Sequence, residues 1–231
     1  MSIPRVTIMG IGNVLWADEG FGVRSIEALH QLYEFPEQVR LIDGGTQGIY
    51  LVQHVQTADI LVVFDAIDYG LVPGTLKTIE GDAVPNFMGA KKMSLHQTGF
   101  QEVLATAELL GDYPEHILLV GVQPEELEDY GGSLRPCVRE QIQPAIALAL
   151  GWLTQHGIQY KKRTTPLPSD QALNAQPLNL TEYESARPSE QQACRLGDER
   201  ILQDQHMRFD PKPSPLGNDA LSVNVDHRVK D

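Results

Sequence analysis

Apolar residues along this chain gather into short runs separated by stretches of helical spacing. Val6–Met9, Val39–Ile42, Ile60–Phe64 and His116–Val120 are the runs, and glycine or aspartate follows each closely. An uninterrupted run such as I-L-V-V-F at Ile60–Phe64 reads as a strand buried on both faces. Val23, Ile26, Leu29 and Tyr33 repeat at helical spacing after the first run, and Val138, Ile142, Ala145, Ala149 and Leu153 do so after the last. A short helical segment covers Ile49–Gln56, Thr75–Ile79 alternates as an edge strand does, and Phe100–Leu110 reads as a helix ending at Gly111. Lys91–Gly99 is a polar loop carrying His96, and Pro144 is expected to kink the last helix because it lacks an amide donor. Strands alternating with helices predict a three-layer α/β domain over residues 1–160, built on a mainly parallel, twisted sheet flanked by helices.

From Lys161 the pattern dissolves. Seven of the fifteen prolines lie beyond it but only two of the twenty glycines, and no apolar period is sustained. Such a segment buries too little apolar surface to offset its ordering entropy. Residues 161–231 therefore read as a polar, disordered tail, and truncation near Thr165 is expected to leave activity largely unchanged.

Charge narrows the partners. Thirty-one acidic against eighteen basic residues give a net charge of −13. That argues against nucleic acid or an anionic membrane surface as the main partner. No apolar run approaches the roughly 20 residues that span a bilayer, and Met1–Pro4 does not open a secretory signal. Cys137 and Cys194 have no metal-type spacing. A soluble protein of the reducing cytoplasm is the expectation.

The chemistry-bearing positions recur at equivalent places. Glu19 follows the first strand, Asp43 the second and Asp65 the third, while His96 precedes a helix. In a parallel sheet the carboxyl ends of the strands share one edge, where ligands bind. Two carboxylates and an imidazole form an oxygen and nitrogen set that suits a divalent transition metal. Taken singly, each has a plainer explanation. Asp18 and Glu19 can complement the positive end of the first helix, worth about 0.3–1 kcal/mol. Asp43 before two glycines can be a turn residue, and His96 a hydrogen-bonded loop histidine. Asp65, closing an apolar strand, needs a partner because buried charge is costly. Dinucleotide binding is the rival: Gly10-x-Gly12 follows a strand and Asp43 ends the next. Leu15 replaces the third glycine, however, and Asp18 with Glu19 would repel a pyrophosphate. No G-x-S-x-G or H-E-x-x-H motif is present.

Five motifs in order, Gly10–Arg24 (G-I-G-N-V-L-W-A-D-E-G-F-G-V-R), Leu41–Thr46 (L-I-D-G-G-T), Val63–Asp68 (V-F-D-A-I-D), Ser94–Gly99 (S-L-H-Q-T-G) and Leu119–Glu125 (L-V-G-V-Q-P-E), resemble those of the nickel–iron hydrogenase maturation endopeptidases. The resemblance covers the chain from about Arg5 to Gln155 and is silent on the tail. It implies a sheet of five strands and an enzyme, grouped with aspartic-type peptidases, that removes a C-terminal extension from the hydrogenase large-subunit precursor after nickel insertion. It also implies Glu19, Asp65 and His96 as ligands to nickel, which the substrate already holds, and an active part for Asp43. Assistance to hydrolysis is expected either from the metal, by Lewis acidity, or from Asp43, by proton transfer, and Asp65 is the second catalytic candidate. The alternatives are a non-catalytic nickel-sensing maturation chaperone and a nucleotide-binding α/β protein.

Overall fold

The computed structural model describes residues 3–87, 95–168, 171, 173–174 and 178–187, and the backbone of two further strands; for 86–87 and 95–99 it gives the backbone alone. Strand β1 (Val6–Ile11) leads through a 3-10 turn at Ala17–Gly20 into helix α1 (Phe21–Leu32). A two-residue strand β2 (Tyr33–Glu34) precedes β3 (Val39–Gly45), and α2 (Val52–Gln56) precedes β4 (Ile60–Ala66). Next come β5 (Leu76–Glu80), α3 (Val84–Phe87), α4 (Leu95–Leu110) and β6 (His116–Val122). Helices α5 (Pro136–Arg139) and α6 (Ile142–Gln155), strand β7 (Lys161–Lys162) and helix α7 (Leu180–Ala186) follow. β8 (Asp210–Pro213) and β9 (Val223–Asp226) pair antiparallel.

The main sheet has the order β3-β1-β4-β6-β5. All its pairings are parallel except β5 with β6, so the edge strand read from Thr75–Ile79 closes the sheet antiparallel. β4 lies in the middle with every residue buried, which its unbroken apolar run requires. Alternation along β4 then divides the core. Val62 and Phe64 pack with Phe21, Ile26 and Leu29 of α1 and Ala145 and Ile146 of α6. Leu61 and Val63 pack with Val55 of α2 and Phe100, Val103 and Leu104 of α4. Each such Leu, Ile or Phe contributes on the order of 1.5–3 kcal/mol on leaving water. No helix among the described residues is long and apolar enough to cross a membrane.

Three expectations change. α4 begins at Leu95, so His96 lies in its first turn and not in a loop; residues 88–94 fall outside the described part. Gly99, where the polar loop is expected to end, lies inside the helix, and one helical glycine costs only about 1 kcal/mol against alanine. Pro144 does not kink the last helix. The break comes earlier, at Glu140–Gln141, and Pro144 falls in the first turn of α6, where no intrahelical donor is needed.

The third change concerns the domain boundary. One compact unit runs to Pro188 and a second covers Ser189–Asp231. Residues 161–187, assigned above to the tail, therefore belong to the α/β unit. Lys161–Lys162 pairs with β2, the Leu167 amide donates to the Gln31 carbonyl, and Leu173 packs on the core beside α1. Beyond 187 the expected disorder lies outside the described residues, apart from β8 and β9.

Candidate functional site

The carboxyl edge of the sheet is where the sequence candidates gather, and glycine makes the first of them possible. Gly12 has φ of 130°, and a Cβ there would collide with the Glu19 carbonyl. A Cβ on Gly22 would strike the carbonyls of Ile11 and Phe64. Without side chains at these points the chain folds back tightly after β1 and lays the start of α1 on the ends of β1 and β4. The glycine turn that resembles a dinucleotide cradle is thus filled by the protein's own backbone.

Asp18 and Glu19 share the 3-10 turn but have different surroundings. Asp18 is fully buried, and its carboxylate accepts hydrogen bonds from the backbone amides of Glu125 and Glu126 at 2.9 Å and Arg135 at 2.7 Å. Its own amide donates to the Glu126 carbonyl at 3.1 Å. Burial raises its pKa, and these amides pull it back. Trp16 and Tyr130 add an isolated bridge and an edge-on ring contact at 5.3 Å. Asp18 therefore ties the turn after β1 to the loop after β6, and it does not cap α1, whose start has no side-chain cap. Glu19, half-buried, is the member turned to other use. Burial pushes its carboxyl up to about 7.

The turn bearing Glu19 packs against β4, whose last residues are Asp65 and Ala66. Asp65 is fully buried, and its Oδ1 accepts from the Ala66 amide at 2.8 Å. Glu19 and Asp65 are thus brought to one rim. His96 lies in the first turn of α4, and its side chain is outside the described residues. Among the described residues, no three His, Cys, Asp or Glu side chains converge to hold an ion.

Asp43 stands apart. It aligns with Gly10, which aligns with Phe64 on the other side, so Asp43 shares the face of Phe64, the α1 face. Its electrostatic neighbours there are Glu27 and Arg24. Burial raises the Asp43 carboxyl above the ordinary aspartate range, opposed by the Gly45 amide. Asp65, one residue beyond Phe64, projects to the opposite, α4 face. Asp43 and Asp65 do not form a facing pair that could share a proton.

Two residues that sequence reasoning missed shape the loop that follows Asp65. Gln123, 5 % exposed, accepts from the amides of Tyr69 at 2.8 Å and Leu71 at 3.1 Å, and it donates to Asp68 Oδ1 at 3.0 Å. Tyr69 lies over Gly121, where a Cβ would collide with its hydroxyl, and the Lys77 ammonium sits 4.7 Å from its ring centre. Burial, with the Asp65 charge adding to it, raises the Tyr69 phenol well above its usual value. The only signal in sequence was a glutamine between a buried strand and Pro124.

A cysteine nucleophile finds no support at Cys137. Its thiol donates to Glu125 Oε2 at 3.0 Å, and burial together with that bond pushes its pKa up to about 11.

Comparison with known proteins meets this geometry. The hydrogenase maturation protease (HycI) family matches residues 23–152. The hydrogenase expression/formation protein HupD of Thiocapsa roseopersicina is 56% identical over 94% of this chain and 98% of its own length. HoxM of Azotobacter vinelandii is 58% identical over 91% of this chain and all of its own. Among solved structures, the hydrogenase maturating endopeptidase HybD from E. coli superposes with a TM-score of 0.66 at 37% identity, covering 69% of this chain and 98% of that one. The relatives matched over most of this chain include the region after Lys161. The chain belongs to the hydrogenase maturation protease family.

Proposed function

We propose that this protein is a processing endopeptidase that cuts the C-terminal extension from a nickel–iron hydrogenase large-subunit precursor, and that it recognises the nickel already bound in that substrate. The observation that carries this reading is the pair of carboxylates, Glu19 and Asp65, withdrawn from water at one rim of the sheet. Drawing carboxylates out of water is costly, and a substrate that presents a divalent cation there recovers the cost. His96, on the first turn of α4, supplies the nitrogen ligand of the set.

Docking through these residues holds the scissile peptide beside the rim, so that cleavage proceeds as a near-intramolecular step. Hydrolysis then needs a base for the attacking water. That role is assigned to Asp43, whose proton affinity burial raises. The water oxygen bonds to the carbonyl carbon as Asp43 receives its proton. The carbonyl oxygen carries the negative charge until the C–N bond breaks and the departing amine takes the proton back. Catalysis by carboxylate accords with an aspartic-type grouping, although Asp43 and Asp65 act from opposite faces and not as a shared-proton pair. The proposed setting is the cytoplasm.

Purified protein incubated with nickel-loaded and nickel-free precursor tests this directly, with the large subunit weighed before and after. A shortened product from the nickel-loaded form alone is expected. Glu19→Ala, Asp65→Ala and His96→Ala variants should fold and yield none. A stable complex with no shortened product would instead identify a nickel-sensing chaperone, and normal processing by all three variants would remove the site.

A further inference from the structure

We propose that Tyr69 is a positioning residue for Asp65, its phenolic O–H securing the carboxylate when the site receives the cation-bearing substrate. This rests on the reading of Asp65 given under Proposed function. Asp65, Gly121 and Lys77 are register partners across β4, β6 and β5, and registered partners present their side chains on one face. Gly121 leaves a gap in that row, and the Tyr69 ring fills it, with the hydroxyl against the Gly121 backbone. The phenol therefore lies beside the Asp65 carboxylate on the same face.

Its placement is set firmly. Gln123 holds the Tyr69 and Leu71 amides and the Asp68 carboxylate, and its Nε2 also donates to the Pro124 carbonyl at 3.3 Å. The Gly70 amide donates to Asp68 Oδ1 at 3.0 Å, closing the loop on itself. The Lys77 ammonium covers the ring. All of this fixes an aromatic ring that phenylalanine would fill equally well. What the tyrosine adds is the hydroxyl, and that oxygen is buried with no hydrogen-bond partner among the described residues. A buried polar atom with no partner among the described residues calls for a functional explanation. A donor beside a ligating carboxylate supplies one: by engaging one lone pair it directs the others toward the cation.

Tyr69→Phe removes that single oxygen. The variant is compared with the wild type for cleavage of nickel-loaded precursor and for affinity toward nickel-loaded and nickel-free precursor, alongside its Tm. The expected result is a fall of about 10–100-fold in kcat/KM and a loss of the affinity gained from nickel. Affinity for the nickel-free form is unchanged, and Tm is at or above that of the wild type. Unchanged cleavage overturns the proposal, as do equal losses on both precursor forms with a lowered Tm, which mark a merely structural tyrosine. Should the wild type bind nickel-loaded precursor without cutting it, the protease reading fails. The nickel-dependent difference in binding then still decides the role of Tyr69.

Discussion

Arg24 and Glu27 form an ion pair one turn apart on α1, Nη1 to Oε2 at 2.9 Å, with 3 % and 5 % of their side chains exposed. Among the described residues, further contacts to the pair come from beyond residue 170. The Leu178 carbonyl accepts from Arg24 Nη1, Asn174 Nδ2 donates to Glu27 Oε1 at 2.7 Å, and the Tyr183 ring stacks 5.5 Å from the Arg24 guanidinium. A buried pair adds little net stability, but stripping its partners is costly. Hydrogen bonds to charged groups are worth about 1.5–3 kcal/mol each, and entering water would recover part of that. Truncation after Thr165 is therefore expected to cost about 2–3 kcal/mol, seen as a fall of about 5–10 °C in Tm. Truncation after Pro188 keeps the whole unit and should leave Tm unchanged. Equal Tm for both truncated chains would mean that the segment does not brace α1.

The adjacent acids of the 3-10 turn should respond differently to loss of charge. Asp18 offers both oxygens to three backbone amides. In Asp18→Asn an NH2 group must face at least one of those N–H donors, leaving it unsatisfied in a buried place. The expected cost is about 1–3 kcal/mol, read as a lower urea midpoint at unchanged slope. Cleavage should fall too, because the same turn carries Glu19. A midpoint equal to wild type would show that Asp18 does not hold the turn.

Under the proposed function, Asp43 and Asp65 separate binding from chemistry. They occupy opposite faces of the sheet, so replacing them should produce different losses. Asp65→Asn is expected to abolish nickel-dependent binding and with it cleavage. Asp43→Asn should keep nickel-dependent binding while cleavage drops by at least about 10²-fold, the usual contribution of a general base. Calorimetry with nickel-loaded precursor and product analysis by mass provide the two readouts. Loss of nickel-dependent binding in Asp43→Asn would place it among the ligands instead.

Much of this was legible in the chain because burial leaves a strong mark. The unbroken run at Ile60–Phe64 could only be a central strand, and a parallel sheet necessarily puts Glu19, Asp43 and Asp65 toward one edge. What the run could not convey was the face each residue takes. That depends on register, and a shift of one residue separates Asp65 from Phe64. The segment 171–187 escaped notice because it docks through Asn174, a backbone carbonyl at Leu178 and Tyr183, none of which creates an apolar period. Gln123 and Tyr69 meet only because two loops more than fifty residues apart fold onto the same rim. Pro144 misled through its neighbours, since a proline in a first turn and one in mid-helix look alike until the helix start is known.

Glu19 supplies a stability prediction whose direction follows from its pKa. In the fold its carboxyl titrates near 7, against 4.5 when unperturbed, because burial disfavours the charge. Between those values the folded chain holds a proton that the unfolded chain has released. Stability contributed by this group is therefore complete below about 4.5 and is lost as pH rises through about 7. Glu19→Gln has no charge to bury, so its Tm should match wild type near pH 4.5 and exceed it above pH 7. Allowing for partial exposure and screening, the gain is about 1 kcal/mol, or about 2–4 °C. A thermal melt series from pH 4.5 to 8 measures the gap, which must open as pH rises. A gap that is constant or that closes would mean that Glu19 is not held at a cost in the resting protein, and a cation-bearing substrate would then have no cost of burial to offset there.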